Sequence, residues 1–104
     1  MLDTHIEFGV GLADSLGERF MELGYSNRER VLKKTYHGML FSRYFGQSVG
    51  RLYGKMSDDL RSVVMCHVEK NAQFADRLGM GVGYVYATLE PTLQHEVMQK
   101  AKEL

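Results

Sequence analysis

A single proline, Pro91, stands in a chain of 104 residues. Proline removes a helix hydrogen bond and clashes with the turn before it, so its scarcity leaves nearly the whole chain open to long helices. Apolar residues at three- and four-residue steps use that freedom. A first helix is expected from Asp3 or Thr4, either of which can cap it, with Ile6, Val10, Ala13, Leu16, Phe20 and Leu23 on one stripe and Gly24 as its stop.

Ser26-Asn27-Arg28-Glu29 has the spacing of a capping box and predicts the start of a second helix. From Val31 to Tyr53, Leu32, Tyr36, Met39, Leu40, Phe41, Phe45, Val49 and Leu52 surround most of its wheel, the pattern of a central, buried helix. Ser57-Asp58-Asp59 is the next cap, placing two carboxylates against the positive end of a helix dipole. The third helix carries Leu60, Val64, His67, Val68, Asn71, Phe74, Ala75 and Leu78 inward and closes at Gly79.

The segment Val82 to Thr88 is rich in β-branched and aromatic residues, which suit a strand, yet no partner strand is legible in the chain. It reads as a short helical turn, the alternative being a strand paired across a dimer. Pro91 then lies in the first turn of a last helix with Leu93, Val97, Ala101 and Leu104 inward. The expected fold is all-α: one domain over residues 1–104, a compact bundle of about four helices with close glycine-mediated packing.

The expectation of close packing rests on three stripes of small residues stepping by four: Gly9, Ala13 and Gly17; Gly46, Gly50 and Gly54; Gly79, Gly83 and Ala87. Residues four apart share a helical face, so each stripe is a flat groove that another backbone can approach. Glycine in a helix costs roughly 0.5–1 kcal/mol relative to alanine, which asks for a compensating contact. Leu23, Leu60 and Leu93 follow the residues that open the stripes at a constant distance, a weak repeat of 33 to 37 residues without the signature positions of the helical-repeat families.

Composition narrows the environment. A 44% hydrophobic, 25% charged chain is that of a folded globule. Cys66 is the lone cysteine, so neither an internal disulfide nor a cysteine zinc site is available. The acidic N-terminal segment is unlike a signal peptide, and the longest uncharged stretch, twelve residues from Leu78 to Leu89, is short of the ~20 that span a bilayer. A cytoplasmic location is expected.

No catalytic constellation emerges. Asp58-Asp59 reads as a cap, Cys66 as a small core residue, and Gly79-x-Gly81-x-Gly83 lacks the preceding strand of a dinucleotide loop. The histidines His5, His37, His67 and His95 show no metal-ligand spacing, so no metal or other cofactor is expected; a haem or metal bundle using His37 or His67 with a methionine ranks third among the readings. The first reading is a small intracellular interaction or regulatory module, not an enzyme, that takes a partner helix in a glycine-lined groove and acts as a homo-oligomer. Its contact residues would be Gly46, Gly50 and Gly54 with Met80, Tyr84 and Tyr86, in the least charged part of the chain. The alternative is nucleic-acid binding by Arg28, Arg30, Lys33 and Lys34, because residues 26–55 hold seven bases and one acid whereas residues 1–25 hold five acids and one base.

Overall fold

The computed structural model describes residues 4–35 and 38–103. Among them the chain forms six α-helices: α1 (Thr4–Glu18), α2 (Tyr25–Lys34), α3 (Met39–Arg51), α4 (Asp58–Val68), α5 (Ala72–Val85) and α6 (Pro91–Glu103). Short 3-10 turns at Phe20–Glu22, Tyr53–Lys55 and Tyr86–Thr88 follow α1, α3 and α5. No strand occurs among the described residues, so the 82–88 segment ends a helix and enters a 3-10 turn. None of the described helices is long and apolar enough to cross a membrane.

Six helices replace the expected four because two long apolar patterns are broken. The second helix, expected to run from the Ser26 cap through Tyr53, stops at Lys34, where Thr35 turns back and its hydroxyl donates to the Leu32 carbonyl at 2.6 Å. It resumes after Gly38, which is extended. The apolar residue Tyr36 of that reading, like Asp3, His37 and Leu104, lies outside the described residues.

The expected third helix breaks at Asn71. The carboxamide oxygen of Asn71 accepts from the amides of Gln73 and Phe74, while its nitrogen donates to the Thr35 carbonyl at 2.8 Å. An Asx cap of this kind starts α5 and so ends α4 just before it. Gly79 therefore stands within α5 and not at a helix end. Nor does Ser26 cap α2: the helix starts at Tyr25 after an extended Gly24, with no side-chain cap. Ser57 does cap α4, accepting from the Leu60 amide, and Pro91 opens α6.

The elements repeat with a period of 33 residues. The 3-10 turns begin at Phe20, Tyr53 and Tyr86, and the helices after them at Tyr25, Asp58 and Pro91. Hydrogen bonds repeat with them. The amides of Leu23, Met56 and Leu89 donate to the carbonyls of Phe20, Tyr53 and Tyr86. Arg28 and Arg61 each reach back five residues, to the carbonyls of Leu23 and Met56. The chain is thus three tandem units of long helix, 3-10 turn and second helix. At this period Phe8, Phe41 and Phe74 fall in equivalent places on α1, α3 and α5.

The long helices α1, α3 and α5 lie side by side with α3 in the middle, and their contacts form most of the core. Phe45 sits at its centre, edge-on to Phe20 at 5.6 Å and stacked with Phe41 and Phe74 at 5.7 and 6.1 Å. Phe20, Phe45 and Phe74 are fully buried, as are Leu32, Val49 and Val64. Fully burying one such side chain contributes about 1.5–3 kcal/mol, so this stack stabilises all three units together. The result measures 45 × 28 × 24 Å.

Candidate functional site

The two unit boundaries are built alike. At the first, a β-carbon added to Gly17 would stand 2.5 Å from the Ser48 Cβ and 3.0 Å from the Phe45 carbonyl oxygen. At the second, one added to Gly50 would stand 2.9 Å from both the Gly81 Cα and the Val82 nitrogen, and nearer still to the Leu78 carbonyl oxygen. Gly17 and Gly50 are one period apart, and so are Phe45 and Leu78, and Ser48 and Gly81. Gly46 faces the Phe74 carbonyl oxygen at 3.1 Å. The Ser48 hydroxyl adds a hydrogen bond of 2.7 Å to Asp14.

Two of the expected partner-binding glycines are therefore covered within the chain. Gly46 and Gly50 are buried, with α5 lying on them, because the fully buried Phe74 and the buried Leu78 bring that helix onto the flat face. Gly54 is exposed beside the Leu89 side chain, in the 3-10 turn after α3. The remaining expected residues fall on or near α5. Met80 is exposed, its sulfur 3.3 Å from Nη1 of Arg77, and Tyr84 is exposed beneath the Arg51 guanidinium, 4.9 Å from the ring centre. Tyr86 is half-buried, and its carbonyl accepts from Gln94 at 2.9 Å.

The last stripe is open. A β-carbon at Gly79 or Gly83 would meet nothing within 4 Å. Both glycines line an apolar cleft of about 310 Å³ between α4, α5 and α6, walled by Met65 and Val68 from α4 and by Val97, Met98 and Ala101 from α6. Tyr86 and Lys100 complete its edge. Ala101, expected to face inward, is exposed at this cleft because no described residue covers its side of α6. Two methionines and two bare glycine faces make a surface that is both yielding and flat, which suits the side of a helix better than a rigid small molecule.

Gly81, the glycine that meets Gly50, was absent from the expected contact set, as were Met65 and Met98. The signal that relates them is the 33-residue period, which sets Ser48 against Gly81 and Met65 against Met98 and which the four-residue glycine steps obscure.

The electrostatic features are modest. A second, more polar cleft of about 410 Å³ runs between α4 and α6, with Arg61, Glu69, Glu96 and Lys100 on it. Burial raises the Tyr53 hydroxyl above its ordinary range, opposed by Arg61 and reinforced by Glu96. Burial lowers the His67 imidazole, with Glu29 pulling it up and Lys70 pushing it further down. Of the basic residues considered for nucleic acid, Arg30, Lys33 and Lys34 are exposed on α2, whereas Arg28 is spent on the Leu23 carbonyl at 2.6 Å. Among the described residues no group of three or more His, Cys, Asp or Glu side chains is placed to hold a metal.

In comparisons with family models, curated proteins and solved structures, none matches this chain.

Proposed function

We propose that the protein is an interaction module that takes the apolar side of a partner helix into the α4–α5–α6 cleft. The groove expected over Gly46, Gly50 and Gly54 is thereby moved to Gly79 and Gly83, the equivalents of Gly46 and Gly50 one period on. One observation carries the reading: the same pair of glycine positions receives a helix on α3 and stands bare on α5. Removing the apolar lining of such a cleft from water contributes about 25 cal/mol per Å² toward association, and a helix arrives with its backbone hydrogen bonds already satisfied. Close packing of glycine faces, on this reading, serves both the inside of the protein and its contact with a partner.

The test uses a fluorescently labelled, synthetic amphipathic helix of leucine and glutamate as probe. Its binding to the chain, followed by anisotropy, should weaken at least tenfold with Gly83→Leu, whose side chain enters the cleft from an open position on α5. Equal binding by the variant overturns the reading.

A further inference from the structure

The chain makes the same helix-to-helix contact twice and leaves one half of it unused at each end. On the receiving side, Gly50 of α3 takes Leu78 and Gly81 of α5, and Gly46 takes Phe74. One period later, Gly79 and Gly83 of α5 take nothing. On the inserting side, α3 and α5 each offer a residue triplet, Phe41, Phe45 and Ser48 in one and Phe74, Leu78 and Gly81 in the other. One period earlier, α1 offers Phe8, Leu12 and Ser15, and these are exposed, Phe8 to 71% and Leu12 to 43%. A phenylalanine so exposed is costly in water, whereas its equivalent Phe74 is fully buried.

We propose that the cleft is filled by α1 of a second copy of this chain, joined head to tail. Phe8 then lies against Gly79 as Phe74 lies against Gly46, and Leu12 and Ser15 cross Gly83 as Leu78 and Gly81 cross Gly50. The inference rests on the cleft being a helix-binding site and names its occupant. Charge agrees with it. The inserting helix carries Glu7, Asp14 and Glu18 and no lysine or arginine, and the charged residue lining the receiving cleft is Lys100. Because the two faces differ, the contact is heterologous and does not satisfy itself in a pair: each copy added presents a fresh cleft or a fresh α1.

The experiment is sedimentation velocity of the full chain over a range of concentrations, with Phe8→Asp, Gly83→Leu and their equimolar mixture. Average mass should rise steadily with concentration for the unmodified chain. Each variant alone should remain a monomer with unchanged circular dichroism. The mixture should form a one-to-one pair and stop there, since Phe8→Asp keeps a working cleft and Gly83→Leu keeps a working α1. Ser15→Arg provides a second block on α1, so a misfolded Phe8→Asp does not end the test. An unmodified chain that stays monomeric overturns the proposal, and so does a mixture that does not pair. If the leucine and glutamate probe helix still binds and loses affinity with Gly83→Leu, the cleft survives as a helix site and only the second copy as its occupant is overturned. If the probe fails as well, both fall.

Discussion

Gly50 and Gly81 cross so closely that a β-carbon on either would stand 2.9 Å from the Cα of the other. A methyl group here meets backbone on all sides, including the Leu78 and Gln47 carbonyl oxygens, and no side chain can swing away to admit it.

Gly50→Ala is therefore expected to destabilise the fold by about 1–3 kcal/mol, the usual cost of overpacking, despite the better helix propensity of alanine. Gly11→Ala is its counterpart. Gly11 lies mid-helix with nothing within 4 Å of its added β-carbon, so the same change should stabilise by about 0.5–1 kcal/mol. Thermal unfolding of the two variants checks the sign of each. Equal effects would mean that propensity alone decides both positions.

Ser42 is fully buried on α3, and its hydroxyl has no hydrogen-bond partner among the described residues. One period later the same place holds Ala75. A buried hydroxyl left unsatisfied costs about 1–3 kcal/mol, so Ser42→Ala should raise the urea midpoint without altering its slope. A lowered midpoint would show that the hydroxyl has a stabilising role.

Asn71 joins two units with one side chain, capping α5 through its oxygen and holding the Thr35 carbonyl through its nitrogen. Asn71→Asp keeps the cap and loses the donor, whereas Asn71→Ala loses both. The alanine variant should cost about 1–2 kcal/mol through the cap, plus roughly 1 kcal/mol for the bond to Thr35, and the aspartate variant should fall between it and the unmodified chain. Chemical denaturation of the three proteins gives the order directly.

His67 sets an acid limb to stability. Burial, the largest influence on it, holds the folded imidazole below its ordinary value near 6.5. As pH falls through that value the unfolded chain takes up a proton that the folded one resists. Stability is thus lost on acidification, and the loss levels off once pH is below the folded value. Between about pH 7.5 and about pH 5.5 the melting temperature should drop less for His67→Gln than for the unmodified chain. An equal drop would assign the limb to other groups.

Local chemistry was legible wherever a feature depends on a few neighbouring residues. Ser57 reads as a cap and accepts from the Leu60 amide, and Pro91 reads as a first-turn residue and opens α6. Both effects act within one turn, so no distant contact is needed to decide them. The breaks near Thr35 and Asn71 were not legible, because apolar periodicity continues across them and the bond between Asn71 and the Thr35 carbonyl joins residues 36 apart.

The site shows the same division. By itself the sequence determined an all-helical chain with flat glycine faces at four-residue steps, since propensity and side-chain spacing are properties of the segment. Only the tertiary structure decided that Gly46 and Gly50 are covered while Gly79 and Gly83 are bare. The two pairs are locally alike, and what separates them is whether a following helix, carrying residues such as Phe74 and Leu78, arrives to lie on the face. Burial belongs to the assembled layers and not to the stripe itself.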